Sequence, residues 1–409
     1  MPIRTKKNNS AKKVKKPSIV KKELKTPHWP LFVLYSLGLL LAVSAALPAY
    51  IQSNFLEQYV SLRIVSLFFV VANMFTVTAI IIFPGVIRKL TNYFTTKIVL
   101  VLYGASLLGL TLVDSPAAAF LSIILFTISA NLIWINLDLL VEKFSKNSST
   151  GRTRTIYFTF INLGWILAPT ISSYLIKIGT YELTFFIAAL LILPIFLIFL
   201  AFGQKLNGQT DYKKENIWLA MKSMWLNRNL RGIFFIALLL QIFYSAAVVY
   251  IPIYLHQNLG MEWGILGPIF SIMLIPFIIF EIPAGIIADR YWGEKEILNL
   301  GLLIMVLSLF LFFYIETPTI WIWIAALFFS RIGASLVEAM RETYFFKLVG
   351  AKDVGYIDIF RLSAPLGYII GPGIAILVLS FFPINYLFLA VAIIMLSGFA
   401  FTASIKDTK

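Results

Sequence analysis

Charged side chains stand inside long apolar segments of this 409-residue chain, and they are its best candidates for chemistry. Arg331 lies near the middle of the apolar segment 319–341. A charge in the centre of a hydrocarbon layer costs about 2.5–3.5 kcal/mol on insertion scales, so it needs an ionic partner or a hydrated cavity. A guanidinium is well suited to binding a carboxylate or a phosphate. Arg331 is therefore predicted either to contact an anionic solute or to form a structural ion pair with Glu281 or Glu338.

Two acids in these apolar segments, Glu281 and Glu338, are candidates for proton exchange. A carboxyl group in a poorly solvated site can take up and release protons, because burial disfavours its charged form. For Glu281, proton coupling and structural pairing with Arg341 or Arg361 are both open. For Glu338 we favour pairing with Arg290 in a network of charges at the end of its segment.

The composition excludes several kinds of site. The chain has no Cys, and its only imidazoles, His28 and His256, are far apart, so thiolate and His-based metal sites are not expected. We find no phosphate-binding glycine loop of the Walker type and no Ser/His/Asp set. The sequence therefore predicts neither an enzyme nor a bound cofactor.

The elements that position these residues are predicted to be membrane-spanning helices. Hydrophobic residues make up 60% of the chain, charged residues 13%, and the mean hydropathy is +0.88. Lipid must solvate the outside of so apolar a chain, and each crossing needs about 20 apolar residues. Twelve segments qualify: 31–52, 61–86, 97–113, 117–141, 156–176, 182–203, 231–255, 263–287, 296–315, 319–341, 356–379 and 383–404.

A polar connection over 204–230 divides these segments six and six. Apolar residues recur in it at helical spacing, which fits a helix in the membrane interface as well as an ordinary solvated linker. The predicted organisation is a basic tail (1–28), a first bundle (29–203), the linker (204–230), a second bundle (231–405) and a short C-terminus (406–409).

The two bundles show signs of a duplication. The segments 164–169 and 367–372 both begin with Gly and end with Pro, 203 residues apart. The segments 83–85 and 282–285 both contain Pro and end with Gly, offset by 200 at the Gly. Two matched pairs at nearly the same offset indicate pseudo-symmetric halves.

The distribution of basic residues predicts the orientation. Residues 1–28 hold ten Lys and Arg against Glu23 alone, which suits a tail beside anionic lipid headgroups rather than a nucleic-acid-binding arm. The loops on the same side of the predicted helices are also rich in Lys and Arg, whereas the opposite loops hold little beyond Lys177. We expect a multi-pass inner-membrane protein with both termini in the cytoplasm, and a monomer because one chain contains both bundles.

The segment 285–295, Gly-Ile-Ile-Ala-Asp-Arg-Tyr-Trp-Gly-Glu-Lys, resembles the signature loop of the major facilitator superfamily. The resemblance implies a secondary transporter of a small organic solute, a polar or anionic metabolite, that works by rocker-switch alternating access. Proton-coupled efflux of amphipathic compounds is an alternative within the same family. A third alternative is a membrane scaffold or sensor that transports nothing.

The resemblance also implies a cytoplasmic gate. Gly285 would let its helix pack closely against a neighbour. Asp289 and Arg290 would lie at the membrane surface, with Asp289 facing Arg152 or Arg154.

The first copy of this loop departs from the pattern. Gly85 is kept, but Lys89 stands after Arg88 where the family places Asp. The charges of this contact are therefore expected to be inverted, with Arg88 or Lys89 facing Asp353 or Asp358.

In this architecture the first, fourth, seventh and tenth helices line a central cavity. The resemblance therefore implies a substrate site built from Arg331, Asn131, Gln241, Tyr244 and Tyr35. The first helix has no acid, which argues against one common route of proton coupling in the family.

Overall fold

Helices are the only regular structure in residues 29–144, 150–206, 217–349 and 354–406, which the computed structural model describes. Eleven of them are long and apolar enough to span a membrane. The longest, Leu62–Thr111, is interrupted at Thr91, where φ is 66° and ψ is 155°. Counting its two parts separately gives twelve spans, and the prediction of an all-α membrane protein is confirmed.

We number the spans in chain order and use the bounds that the structure gives. They are α1 (Trp29–Ala49, extended by Gln52–Glu57), α2 (62–90), α3 (92–111), α4 (Pro116–Phe144), α5 (Thr150–Ile178), α6 (Tyr181–Leu190 and Ile192–Leu206), α7 (Arg228–Ser245, continued by π-helical and α-helical turns to Asn258), α8 (Trp263–Met273 and Ile275–Arg290), α9 (Glu294–Tyr314), α10 (Ile320–Leu348), α11 (Val354–Arg361 and Ser363–Val378) and α12 (Asn385–Ser404).

Helices α1–α6 form the N-terminal half and α7–α12 the C-terminal half. Because consecutive spans run in opposite directions, all odd-numbered spans begin on the side where α1 begins. We call that side the N-terminal face and the other side the distal face.

Several helices extend beyond the apolar segments that predicted them. Helix α5 begins at Thr150 rather than 156, and α10 continues to Leu348 rather than 341. Hydropathy detects only the lipid-crossing part of a helix, whereas the backbone ladder continues for as long as each amide finds its carbonyl. These polar extensions bring charged residues of the N-terminal face onto rigid helices.

The linker contains a helix, Ile217–Leu226. Trp218, Leu219 and Leu226 on it are exposed. The Arg231 guanidinium donates a hydrogen bond of 3.1 Å to the Trp225 carbonyl, which ties the helix to the start of α7. The exposed apolar surface suits a membrane interface, and that location stays a prediction.

Gly164 in α5 and Gly367 in α11 have the same packing role in the two halves. A Cβ placed on Gly164 would lie 2.7 Å from the Cβ of Ala42 in α1. A Cβ placed on Gly367 would lie 2.3 Å from the Cβ of Gln241 in α7. Both glycines thus let two helices approach closely at equivalent places, which supports the predicted duplication.

Candidate functional site

A cavity of about 310 Å³ lies between the two halves. Its volume is at the lower end of the roughly 300–1,000 Å³ typical of small-molecule sites. The N-terminal half contributes Tyr50, Phe158, Ile161, Asn162 and Trp165, and the C-terminal half contributes Gln241, Tyr244, Val248, Leu274, Phe277, Arg331, Glu338 and Tyr368.

Arg331 is the cation of this cavity. Its side chain is only 1% exposed, and its guanidinium carbon lies 5.5 Å from the ring centre of Phe243 and 5.9 Å from that of Tyr244. The hydroxyl groups of Tyr50 and Tyr368 are close enough to interact with its charge. Ring faces and hydroxyl oxygens thus partly compensate for the loss of water around a buried cation.

The Arg331 guanidinium nevertheless keeps unused hydrogen-bonding capacity. Its Nε and Nη1 atoms are buried and have no hydrogen-bond partner among the described residues. Within the same residues no carboxylate oxygen lies within 4.0 Å of it, so the structural ion pair with Glu281 or Glu338 is not formed. The position of Glu338 two turns further along α10 explains this result, because seven residues of helix separate the two side chains by about 10 Å.

Three of the five residues predicted for the substrate site, Arg331, Gln241 and Tyr244, line the cavity. The other two are absent from its lining. The Asn131 amide donates a hydrogen bond of 2.9 Å to the Thr127 carbonyl of its own helix, and the Tyr35 ring stacks on Phe160 at 5.7 Å. Both side chains are therefore used within the N-terminal half.

Sequence reasoning missed the aromatic walls of the cavity. Trp165 and Tyr368 directly follow the two packing glycines, Gly164 and Gly367, and both line the cavity. A helix turned so that its glycine meets the neighbouring helix presents the next residue about 100° away, here toward the interface between the halves. The Gly-aromatic pair that recurs at 164–165 and 367–368 is the sequence feature from which these two lining residues could have been predicted. Asn162 of α5 also lines the cavity.

A chain of polar contacts leads from the cavity to the N-terminal face. The Tyr244 hydroxyl donates a hydrogen bond of 2.5 Å to Glu338 Oε2. Arg341 Nη2 lies 3.6 Å from Glu338 and 3.7 Å from Glu342, so the two acids share one guanidinium. Glu338 is thus paired with Arg341, whereas the predicted partner Arg290 is exposed and has no carboxylate within 4.0 Å among the described residues.

Arg361 at the end of this chain links the two halves. Its guanidinium binds Glu342 with both Nη atoms, at 2.9 and 3.4 Å, and lies 3.7 Å from Asp138 in α4. The side chains of Arg361 and Asp138 are 25% and 29% exposed. An ion pair between a helix of each half therefore joins them at the N-terminal face.

Glu281 lies near this cluster without a described cation. Its electrostatic neighbours are the acids Glu338 and Glu342. The predicted pairing with Arg341 or Arg361 is not formed among the described residues, because those guanidinium groups are engaged by Glu338, Glu342 and Asp138.

The predicted gate residues are only partly placed by the structure. A Cβ on Gly285 would meet no atom within 4 Å, so this glycine is not the close-packing site that the motif suggested. Arg88 and Lys89 after Gly85 are exposed, and no described carboxylate, that of Asp358 included, lies within 4.0 Å of either. Asp353 and the side chains of Asp289, Arg152 and Arg154 lie outside the part of the chain that the structure describes.

Hydrogen bonds between the halves also occur at the distal face, where none was predicted. Each joins a helix of one half to a helix of the other and lies near the distal ends of both. Among them are Ser66 Oγ with Tyr250 OH at 2.7 Å, Thr170 Oγ1 with Ser271 Oγ at 2.7 Å, and Trp263 Nε1 with Tyr181 OH at 2.8 Å.

The sequence profile of the Major Facilitator Superfamily matches residues 139–355 and 264–408, about two thirds of the chain in total. This chain belongs to the major facilitator superfamily. Membership and the twelve spans make it a multi-pass membrane protein and a secondary transporter of small solutes, as the resemblance implied. No curated protein sequence matches the chain.

Solved transporters share the fold. The nucleoside transporter NupG, solved as a mutant, superposes with a TM-score of 0.72 at 16% identity, covering 92% of this chain and 100% of that one. A POT family transporter in complex with 5-aminolevulinic acid gives 0.70 at 13% identity, covering 91% and 94%. At such identities the likeness concerns the fold alone, so the substrate of this superfamily member must be argued from its own cavity.

Proposed function

We propose that this transporter moves a small organic anion, which Arg331 binds in the cavity between the two halves. The observation that carries the proposal is an arginine that is only 1% exposed and whose Nε and Nη1 atoms have no hydrogen-bond partner among the described residues. A buried charge without a counter-ion is costly, and a carboxylate or phosphate would supply both the opposite charge and charge-assisted hydrogen bonds.

The proposed mechanism is alternating access by rocking of the two halves about the cavity. Three features support it: the duplicated helix packing at Gly164 and Gly367, a cavity lined by both halves, and polar links between the halves at both faces. Such links can break on one face while they form on the other, which exposes the site to each side in turn.

We further propose that the N-terminal face is the cytoplasmic face of the inner membrane and that the transporter is a monomer. The excess of Lys and Arg on that side supports the orientation. The basic tail 1–28 would then lie beside anionic lipid headgroups.

The aromatic walls of the cavity favour a second candidate, proton-coupled efflux of amphipathic compounds. Rings of Tyr50, Trp165, Phe277 and Tyr368 would contact an apolar solute, and Glu338 would exchange the proton. In that case Arg331 would have a structural role within the protein and would not bind the solute.

Ligand binding by the purified transporter separates the two candidates. Thermal stabilisation is measured with carboxylates, sugar phosphates, neutral sugars and lipophilic cations, for the wild type, Arg331→Ala and the control Arg228→Ala, which removes an exposed guanidinium outside the cavity. We expect an anion to bind the wild type and the control, and Arg331→Ala at least about tenfold more weakly. An anion that binds all three equally, or stabilisation by lipophilic cations alone, would overturn the anion proposal.

A further inference from the structure

The cavity has a second charged end, which the anion proposal does not use. Glu338 lines the same cavity as Arg331, and both side chains project from α10. Seven residues separate them, which corresponds to about 10 Å along the helix. The cavity thus places a cation and an anion of the protein at a fixed distance from each other.

The Glu338 end of the cavity lies among acidic side chains. The carboxylates of Glu338, Glu342 and Asp138 contact two described guanidinium groups, and Glu281 lies nearby. Those two are Arg341, which Glu338 and Glu342 share, and Arg361, which Glu342 and Asp138 share.

Glu338 itself retains room for another donor. Tyr244 donates to its Oε2 atom, and its contact with Arg341, at 3.6 Å, is longer than a hydrogen bond. Its side chain is 34% exposed, and two carboxylate oxygens offer about four acceptor sites. A cationic group that entered the cavity could therefore bind Glu338 directly.

The lining of the cavity is mostly apolar. Leu274 and Phe277 of α8 and Val248 of α7 border it together with the aromatic rings, and Gln241 contributes an amide. An apolar segment of a solute would be accommodated there at little cost in desolvation.

We propose that the solute is a zwitterion whose charges are separated by an apolar body, with its anionic group on Arg331 and an ammonium group on Glu338. This inference rests on the proposed function, because it takes Arg331 as the anion contact. A solute that bridges both residues must have its charges several ångströms apart, since each contact uses part of the roughly 10 Å between them. An α-amino acid, whose charges are adjacent, would reach only one end.

Isomers that differ only in where the amine is attached provide the test. Binding of ω-aminocarboxylates with four, six and eight carbons is measured by calorimetry on the full-length purified transporter. The comparison ligands are 2-aminohexanoate, an isomer of the six-carbon probe, and hexanoate and hexylammonium, which each carry one charge. We expect one ω-aminocarboxylate to bind at least about tenfold more tightly than each comparison ligand, equivalent to one additional charged contact.

Two variants assign the amine to its partner. Glu338→Gln keeps an acceptor for Tyr244 but removes the charge, and it should abolish the preference for the ω-amine while leaving hexanoate binding unchanged. Glu342→Gln removes the same charge from the same cluster without lining the cavity, and it should retain most of the preference. An equal loss in both variants would overturn the assignment to Glu338.

The remaining outcomes distinguish this inference from the proposed function. If hexanoate and the ω-aminocarboxylates bind equally, the zwitterion inference is wrong, the anion proposal stands, and a proton is the better account of the Glu338 carboxylate. If no ω-aminocarboxylate binds, the zwitterion inference is also wrong, and the anion proposal is then judged by the carboxylate and phosphate panel.

Discussion

Thr91 and Gly293 occupy equivalent turns in the two halves, 202 residues apart, and both have a positive φ. Gly293 precedes α9 with φ 129° and ψ 161°, and Thr91 precedes α3 with φ 66° and ψ 155°. This region of the backbone map is populated almost entirely by glycine, and other residues adopt it at a cost of about 1–3 kcal/mol. The N-terminal half thus keeps the shape of the turn with a residue that the turn disfavours.

Replacing Thr91 by glycine is therefore expected to stabilise the protein. The Thr91 side chain is exposed, and its carbonyl, which accepts a hydrogen bond of 2.8 Å from Thr95 Oγ1, is retained in Thr91→Gly. Relief of the backbone strain should raise the free energy of unfolding by about 1–2 kcal/mol, measured by denaturant or thermal unfolding in detergent.

The matched control is Thr78→Gly, at an exposed position inside α2 with helical torsions. There glycine should lower the stability by about 0.5 kcal/mol, because it adds freedom to the unfolded chain and relieves no strain. A loss of stability in Thr91→Gly similar to that of the control would show that the turn is not strained.

The sequence was sufficient for the helices and for Arg331, Gln241 and Tyr244, but not for the rest of the cavity. Twelve apolar segments and a duplicated Gly–Pro pattern predict the fold, because only a helix satisfies its backbone in lipid. An arginine within an apolar segment is easily recognised in the sequence. The rotation of each helix about its own axis is harder to predict, because the faces toward lipid and the faces toward protein are both apolar. For this reason Asn131 and Tyr35 were predicted to line the cavity and Tyr50 was missed.

The charge network shows a second limit of sequence reasoning. Many Lys, Arg, Asp and Glu lie near the N-terminal face, and each has several possible partners. Glu338 is paired with Arg341 of its own helix rather than with Arg290, and Arg361 binds Glu342 and Asp138 where α4, α10 and α11 converge. Hydropathy reveals neither choice of partner. For the same reason the ion pair of Arg361 with Asp138 could not be predicted from the sequence.

Gly267 is predicted to control closure of the distal face. A Cβ placed on it would lie 2.2 Å from the Cβ of Ser173 and 2.6 Å from the carbonyl oxygen of Pro169, both in α5 of the other half. Gly267→Ala should therefore destabilise the closed distal face by about 1–3 kcal/mol, as overpacking of a rigid interface does. The sequence has no cysteine, so spin labels can be attached specifically at Leu112→Cys and Phe381→Cys, which are exposed distal positions of the two halves. The distance between these labels should be longer in Gly267→Ala than in the protein with Gly267.

The control lies on the same helix. A Cβ on Gly264 would meet no atom within 4 Å, so Gly264→Ala should leave both the label distances and the rate of solute exchange unchanged. Equal distance distributions for the wild type and Gly267→Ala would mean that the distal faces do not pack through this residue.

The hydrogen bond between Ser66 and Tyr250 is expected to contribute to the same closure. Both side chains are 0% exposed, and their hydroxyl groups are 2.7 Å apart. In a double-mutant cycle, Ser66→Ala and Tyr250→Phe should show a coupling of about 0.5–1.5 kcal/mol in thermal stability, the usual net value of a neutral hydrogen bond. A coupling near zero would indicate that the hydroxyl groups do not interact across the halves.

The pair of Arg361 with Asp138 is predicted to hold the N-terminal face together. Removing one partner in Arg361→Ala or Asp138→Asn should favour opening of that face by about 0.5–1 kcal/mol, a modest value because both side chains are partly exposed. Labels on Leu90→Cys and Trp292→Cys, exposed residues of the two halves at that face, would show a larger population at long distance.

The double variant should open the face no further than either single one, since they remove one shared contact. Arg88→Ala, which removes an exposed cation from the same face, should leave the distances unchanged, and opening as large as that of Arg361→Ala would show that the loss of any cation at this face opens it.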